Sequence, residues 1–242
     1  MSQPVNDNLV LISGKSATGK SACLSNLINP EGVMYLNCEA GKKLPFRDKF
    51  QKFVITDPLQ VYEAFEVAEG RADTHTIVVD TLTYLMDMYE SLYVYNSANT
   101  QKAWGDFAQF YKALMQNYVA NSTKNVIFLA HTADSMNEAE MSMETKVPVK
   151  GAIKNNGIES YFSQVISTKK VSLKALKDFK SDLLVVTPQE EMLGFKYVFQ
   201  TMLTKETVGD RIRGPMGMFS YNETFIDNNA QLVLNRLHEY YS

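Results

Sequence analysis

The sequence of 242 residues has little cysteine and no long apolar run. Its two cysteines, Cys23 and Cys38, are not spaced like metal ligands, which favours a protein of a reducing cytosol over a disulfide-linked secreted one. No apolar run approaches the length that spans a bilayer, and the first eight residues lack the basic and apolar regions of a signal peptide. These absences predict a soluble cytoplasmic protein without a membrane partner.

The sequence also lacks the excess of positive charge that is typical of proteins coated by nucleic acid, because its net charge is −3. The charge is unevenly distributed, however. Residues 142–180 contain eight lysines against Glu144, Glu159 and Asp178, a balance of +5 that leaves −8 elsewhere. This asymmetry indicates either a surface for an anionic partner or a solvated lysine-rich face. We find neither internal repeats nor a low-complexity linker, so we predict one α/β domain over residues 1–242.

A phosphate-binding motif occurs near the start of the chain. Residues Gly14–Ser21 match G-x-x-x-x-G-K-[ST], follow the apolar run Leu9–Ile12 and precede a predicted helix, Lys20–Leu27. This strand, loop and helix form the context in which a P-loop binds nucleotide phosphates, with the lysine on the β- and γ-phosphates and the serine on Mg²⁺. The residues expected to contact ATP are Gly14, Lys15, Ser16, Ala17, Thr18, Gly19, Lys20, Ser21 and Ala22.

Three further predicted strands end in polar residues. Val33–Cys38 is followed by Glu39, Thr76–Val79 by Asp80, and Asn125–Ala130 by His131. Because ligands of open α/β sheets bind at the carboxyl ends of strands, we expect these side chains to face the P-loop. Asp80 matches a Walker B acid that holds Mg²⁺ together with Ser21. Glu39 can orient the attacking water, although a surface acid is the alternative, and His131 can sense the γ-phosphate or merely cap its strand.

The second half of the chain is less sharply patterned. Residues 134–157 show no sustained periodicity, so we predict a long mobile loop over about 133–157. Later strands are predicted at 165–167, 183–186 and 197–203, followed by a basic turn from Lys205 to Arg213. An amphipathic helix is predicted over about 228–241.

The order of these motifs, from the P-loop through Glu39 and Asp80 to His131, resembles the RecA-like ATPase core, and in particular the small phage-encoded RecA-like proteins of single-strand annealing and recombination. The resemblance implies a RecA-like P-loop NTPase core with a mostly parallel central sheet flanked by helices. It makes Lys20, Glu39, Asp80 and His131 catalytic, and it implies an ATPase that uses ATP and Mg²⁺ and is stimulated by DNA.

The same resemblance implies partners for the second half of the chain. The loop after His131 would contact single-stranded DNA, and we assign Lys146, Lys150 and Lys154 to it. Basic residues after a late strand, Lys205, Arg211 and Arg213, would reach the nucleotide of the neighbouring subunit in a ring or filament of identical copies. A phage single-strand-binding protein is a further expected partner, in the cytoplasm of the host cell. The short leader shows no RecA-style polymerisation segment, which favours rings or partner-dependent assembly.

Three other functions are compatible with the P-loop. Lys15 lies where the deviant Walker A ATPases of partitioning systems have a lysine, although Ser16 and Ala17 replace their two glycines. A small-molecule kinase would use Arg211 and Arg213 in a lid. A nucleotide-gated interaction module would bind ATP with negligible turnover. Phosphate release without an acceptor, stimulated by single-stranded DNA, separates the first prediction from the kinase.

Overall fold

The computed structural model describes residues 6–138, 141–155 and 157–242. Within them, eight strands form one sheet and two more form a separate hairpin. The strands are β1 (Leu9–Gly14), β2 (Val33–Asn37), β3 (Gln51–Val54), β4 (Thr76–Asp80), β5 (Asn125–His131), β6 (Ala133–Asn137), β7 (Ser142–Lys146), β8 (Gln164–Ser172), β9 (Phe195–Gln200) and β10 (Phe225–Asp227).

The sheet has the order β10-β9-β8-β1-β5-β4-β2-β3. The six strands from β8 to β3 are parallel, whereas β9 and β10 continue the sheet in antiparallel pairing. Strands β1, β2 and β4 are buried along their whole length, because helices cover both faces of the sheet. Their sequences are therefore continuous apolar runs instead of alternating ones.

Six α-helices accompany the sheet in the described residues: α1 (Gln60–Glu69), α2 (Leu82–Tyr89), α3 (Thr100–Ala113), α4 (Leu173–Leu176), α5 (Pro188–Leu193) and α6 (Ala230–Tyr241). Helices α2 and α3 continue into wider π-helical turns, Glu90–Val94 and Leu114–Val119. Residues of α1, α2 and α3 pack with Leu9 and Leu11 on one face of β1, while α6 and the turn Ser21–Asn26 pack with Val10 and Ile12 on the other. None of the described helices is long and apolar enough to cross a membrane.

The predicted architecture, an α/β fold with a mostly parallel central sheet flanked by helices, is confirmed. The helix after the P-loop is shorter and tighter than predicted, because Ser21–Asn26 forms a 3₁₀ helix. The C-terminal helix begins at Ala230, where the side chain of Asn229 accepts a hydrogen bond from the N–H of Gln231.

The prediction of a loop over 133–157 was wrong for most of residues 133–146, which form two strands. Strands β6 and β7 pair there as an antiparallel hairpin, with Met136 opposite Met143. Neither strand buries an apolar face, so the sequence carries no alternating pattern to reveal them. Residues 139, 140 and 156 of the predicted loop lie outside the described residues.

The strand predicted at 183–186 was also wrong. Leu183 accepts a hydrogen bond from the N–H of Asp227, and the N–H of Val185 bonds to the Asp227 carboxylate at 3.1 Å. The segment is thus tied to the end of β10 partly through a side chain, and it forms no ladder with the sheet. The other late strands, β8 and β9, begin earlier in the chain than predicted.

Candidate nucleotide-binding site

A cavity of about 430 Å³ lies where the P-loop meets the carboxyl ends of β2, β4 and β5. Five P-loop residues and the residue after the motif line it: Ser16, Ala17, Gly19, Lys20, Ser21 and Ala22. Ala17 and Gly19 have positive φ values of 60° and 96°. Such left-handed residues turn successive backbone N–H groups toward a common point, which is the geometry of an anion-binding loop.

Lys20 is the buried cation of this cavity. Its ammonium donates hydrogen bonds to the carbonyl oxygens of Gly14 at 3.0 Å and Lys15 at 2.7 Å. Burial lowers the pKa of Lys20 to about 8, although the negative charges of Glu39 and Asp80 act in the opposite direction. Both partners of the ammonium are neutral, so an anion in the cavity would satisfy this cation better than the carbonyls do.

Asp80 and Ser21 form the second feature of the site. The Ser21 hydroxyl donates to Asp80 Oδ2 at 2.9 Å, and the Tyr35 hydroxyl donates to the same oxygen at 2.6 Å. The other oxygen, Oδ1, is buried and has no hydrogen-bond partner among the described residues. Burial raises the pKa of Asp80, despite the two hydrogen bonds.

Glu39 lies in the same cavity, and its side chain is only 9% exposed. It is therefore not a surface acid, which was the alternative interpretation of the sequence. His131 Nε2 lies 3.2 Å from Oε1, and the Lys42 ammonium lies 2.7 Å from Oε2. These two contacts hold the pKa of Glu39 at about 2. The carboxylate therefore stays ionised at neutral pH, and His131 connects it to the end of β5.

The residues of the cavity fit Mg²⁺ and a nucleoside triphosphate. Ser21 offers a hydroxyl, and Asp80 offers a carboxylate whose buried Oδ1 is unpaired among the described residues. Mg²⁺ binds such oxygen ligands when phosphates supply the others. Lys20 and the turn through Ala17 and Gly19 provide the positive charge and the N–H groups for those phosphates.

Other predicted nucleotide contacts point elsewhere. Lys15 and Thr18 line a second cavity of about 480 Å³ on the side of the P-loop next to β8. The Lys15 ammonium pairs with Asp134 at 2.6 Å, and the Thr18 hydroxyl lies 2.6 Å from that of Thr168. Gly14 contributes its carbonyl to Lys20 and does not line the P-loop cavity.

The predicted trans residues are also outside the P-loop cavity of their own chain. Lys205, Arg211 and Arg213 are exposed, whereas Ile212 between the arginines is buried. Arg211 pairs with Glu144 at 3.0 Å, not with its neighbour Asp210, which pairs with Lys169 instead. The two arginines therefore share an exposed face, as their alternation with Ile212 predicts.

The three lysines assigned to DNA are spread over the hairpin and the segment after it. Lys146 ends β7 and pairs with Glu144 at 2.9 Å, and Lys150 pairs with Glu90 at 2.6 Å. Lys154 is exposed on the turn Gly151–Asn155. The structure thus places two of the three lysines against acidic partners.

Sequence reasoning missed several residues of the cavity: Tyr35, Lys42, Lys43, Pro45, Tyr197 and Asn228. Lys42 could have been found, because it follows Glu39 by three residues in a basic segment. Tyr197 and Asn228 carry no local pattern, since only the pairing of β9 with β8 and β10 brings them beside the P-loop.

The fold and this cavity define an α/β nucleotide-binding protein of the P-loop class. The chain matches the AAA domain family model over residues 6–192, which is more than half of its length, and it belongs to that family. It therefore contains an AAA-type P-loop ATPase domain, and this part of the expectation from the RecA-like resemblance is confirmed. No curated protein matches the chain. The link to phage recombination stays a prediction.

Proposed function

We propose that this chain is a RecA-like, Mg²⁺-dependent ATPase that acts on single-stranded DNA in phage recombination, annealing or replication, in the host cytoplasm. The observation that carries the ATPase part is the position of one carboxylate. Glu39 shares the P-loop cavity with Lys20 and with the Ser21–Asp80 pair, so a charge clamp, a metal-binding pair and a second acid converge. When bound, Mg-ATP supplies the phosphoryl group that passes to water.

The residues divide the work of that reaction. Lys20 neutralises phosphate charge, and the Ser21 hydroxyl with Asp80 Oδ1 would hold Mg²⁺. Glu39 orients and polarises water by accepting its hydrogen bonds, because each carboxylate oxygen has lone pairs beyond those used by His131 and Lys42. Its low pKa makes it a weak proton acceptor, so its main role is orientation.

His131 is the element that would report the state of the site to the rest of the chain. Its ring bonds to Glu39, and its backbone N–H donates a hydrogen bond to the Thr83 hydroxyl oxygen at 2.9 Å. Hairpin β6–β7 begins two residues later, at Ala133. A change in the partners of Glu39 would therefore act on a residue directly attached to the hairpin.

The lysine at the end of the hairpin and the two that follow it support single-stranded DNA as the partner. All three lysines lie after the sensor strand β5 in the chain. Lys150 and Lys154 are exposed and Lys146 is half-buried, so DNA phosphates could compete with Glu90 and Glu144 for the ammonium groups of Lys150 and Lys146. Oligomers of identical copies, and a phage single-strand-binding protein, complete the proposed set of partners.

Phosphate release with and without single-stranded DNA, on a sample of known oligomeric state, tests this function. We expect wild-type turnover to rise with DNA. Lys20→Ala should lose nucleotide binding, whereas Glu39→Gln should keep binding and lose turnover. Lys174→Ala is a control, because this lysine is exposed on α4 and does not line the P-loop cavity. Wild-type turnover in Glu39→Gln would contradict the role proposed for Glu39. Equal wild-type turnover with and without DNA would contradict single-stranded DNA as the partner.

A further inference from the structure

The sheet order divides the P-loop cavity into two sides. Strands β5, β4 and β2 lie on one side of β1, and they bring His131, Asp80 and Glu39 to the cavity. Strands β8, β9 and β10 lie on the other side of β1. Apart from Lys20 and Ser21 of the P-loop itself, the described groups suited to the terminal phosphate and its metal come from the first side, so we expect the nucleoside to extend toward the second.

Two side chains line the cavity from that second side. Tyr197 comes from β9 and Asn228 follows β10 directly. The Asn228 amide donates through Nδ2 to the carbonyl of Gly19 at 2.9 Å. A Cβ atom at residue 19 would lie 2.5 Å from that nitrogen and 3.6 Å from Tyr197 Cδ1, so glycine allows both side chains to approach the P-loop closely.

The hydrogen bond to Gly19 fixes which way the Asn228 amide faces. A carbonyl oxygen accepts only from a donor, so the amide nitrogen must point to Gly19 and Oδ1 must be the remaining group. Asn228 Oδ1 is buried, and no group in the described part of the chain hydrogen-bonds to it. A buried acceptor without a donor costs free energy that a donor on a ligand recovers.

Both residues stand on a fixed support. Asp227, next to Asn228, accepts from the N–H of Val185 and pairs with Lys196 at 3.1 Å. On its other side, Asn229 caps α6. Tyr197 lies in the middle of β9, and the residue is 40% exposed and lines the cavity, where it can contact a ligand.

We infer that Tyr197 and Asn228 bind the base of the nucleotide, and that Asn228 selects adenine. The aromatic ring provides a stacking surface for any base. Asn228 Oδ1 accepts a hydrogen bond from the exocyclic 6-amino group, which adenine has and which 6-oxopurines replace by an acceptor. This inference rests on nucleotide binding at the P-loop, as proposed above, and names the base that the site prefers.

Equilibrium binding of ADP and of IDP tests the inference, because the two differ at the 6-position of the purine and carry the same phosphates. We expect wild type to bind ADP about tenfold more tightly than IDP, the value of one hydrogen bond. Asn228→Ala should reduce that ratio to near one. Tyr197→Ala should weaken both nucleotides about tenfold without changing the ratio, while Tyr197→Phe keeps wild-type affinity.

Matched controls are available on α6. Asn235 is exposed and bonds to Gln231, and Tyr240 is exposed on the last turn, so Asn235→Ala and Tyr240→Ala should leave both affinities unchanged. Equal wild-type affinity for ADP and IDP, together with loss of both in Lys20→Ala, would overturn the base assignment and leave the proposed ATPase standing. Failure of wild type to bind either nucleotide would overturn both.

Discussion

The ammonium of Lys20 lies in a buried environment that disfavours its positive charge. The side chain is buried, its two hydrogen-bond partners are backbone carbonyls, and its pKa is lowered to about 8 because burial removes water from the ammonium. Above that pH the free protein holds mostly a neutral amine there. A bound phosphate favours the ammonium, so it raises the pKa of Lys20 and draws a proton from solution.

The affinity for ADP should therefore fall as pH rises above about 8. Because binding prefers the protonated lysine, the dissociation constant should rise toward tenfold for each pH unit in the window between about 8 and the pKa of the bound state. Calorimetry at about pH 9 in two buffers of different ionisation enthalpy measures the expected uptake of nearly one proton.

Lys154→Met is the matched control, since this lysine is exposed and remote from the P-loop cavity, and its pH dependence should equal that of wild type. An ADP affinity that stays constant from about pH 7 to about pH 10, without proton uptake, would show that Lys20 does not titrate on binding.

The polar ends of buried strands were the part of the site that sequence could predict. Asp80, Glu39 and His131 each follow a continuous apolar run, and parallel strands bring such ends to one edge. Tyr35 could not be predicted, because a hydroxyl inside a buried strand is usually packed and only the structure shows it donating to Asp80. Asn228 was missed because its position depends on a distant antiparallel pairing.

At the scale of elements, the hairpin and the basic turn behave as one unit. The Thr145 N–H bonds to the carbonyl of Gly209 at 2.9 Å, and the Arg211 N–H bonds to the carbonyl of Thr145 at 3.1 Å. Glu144 joins the two through its side chain, with Lys146 from the hairpin and Arg211 from the turn holding its pKa at about 2. Movement of either element must therefore move the other.

Gly209 tests this coupling, and Gly105 provides a control outside it. A Cβ atom at Gly209 would lie 1.9 Å from the carbonyl oxygen of Met143, so Gly209→Ala must separate the turn from β7. We expect it to lower the free energy of unfolding by about 1–3 kcal/mol, as overpacking does. Within the ranges that the structure describes, no atom lies within 4 Å of a Cβ built at Gly105 in α3, so Gly105→Ala should raise stability by about 0.5–1 kcal/mol.

Urea unfolding measures both changes, and the Gly105 variant shows that an added methyl group is not harmful in itself. If Gly209→Ala unfolds at the wild-type urea concentration, the contact between the turn and β7 does not stabilise the domain.

The hairpin shows which kind of strand cannot be predicted from one sequence. Strands β1, β2 and β4 were predictable because two covered faces demand uninterrupted apolar residues. Strands β6 and β7 have no covered apolar face, and exposed methionines alternate there with residues held by ion pairs and hydrogen bonds. Pairing across the hairpin, not burial, sets their conformation, and no local pattern reports it.

The lysines near the hairpin provide the test of the DNA path. The triple substitution of Lys146, Lys150 and Lys154 by alanine should weaken binding of single-stranded DNA and reduce the slope of log affinity against log salt. Each phosphate contact contributes about 0.7 to that slope, so three contacts contribute about 2. Fluorescence anisotropy over a salt series measures both quantities.

Lys174, Lys177 and Lys180 provide the matched control, because they are exposed lysines of the same basic stretch on or after α4. Their triple alanine variant has the same net charge as the test variant and should keep the wild-type slope. Equal slopes in all three proteins would remove the segment from the DNA site.

At the scale of the whole molecule, the P-loop cavity and the arginines predicted to act on a nucleotide lie in different places on the same chain. The P-loop cavity is lined from both sides of β1, but the exposed arginines Arg211 and Arg213 contribute nothing to it within the same chain. They border another cavity together with Glu159 and Ser160. An arginine that stabilises charge on a transferred phosphoryl group in trans is worth about three to five orders of magnitude in rate. The proposed oligomer would bring these arginines to the nucleotide of the next copy.

Mixing two inactive variants decides whether the site is shared between copies. Subunits with Arg211→Ala and Arg213→Ala keep Glu39, and Glu39→Gln subunits keep both arginines. Each variant alone should lose turnover, since every interface lacks either the carboxylate or the arginines. Mixed assemblies contain interfaces where an intact Glu39 faces intact arginines, and these should recover turnover, measured as phosphate release across mixing ratios. Because Arg211 also pairs with Glu144, Glu144→Gln subunits mixed in the same way control for loss of that ion pair. Absence of recovery in demonstrated mixed oligomers would mean that the arginines act within their own chain or not at all.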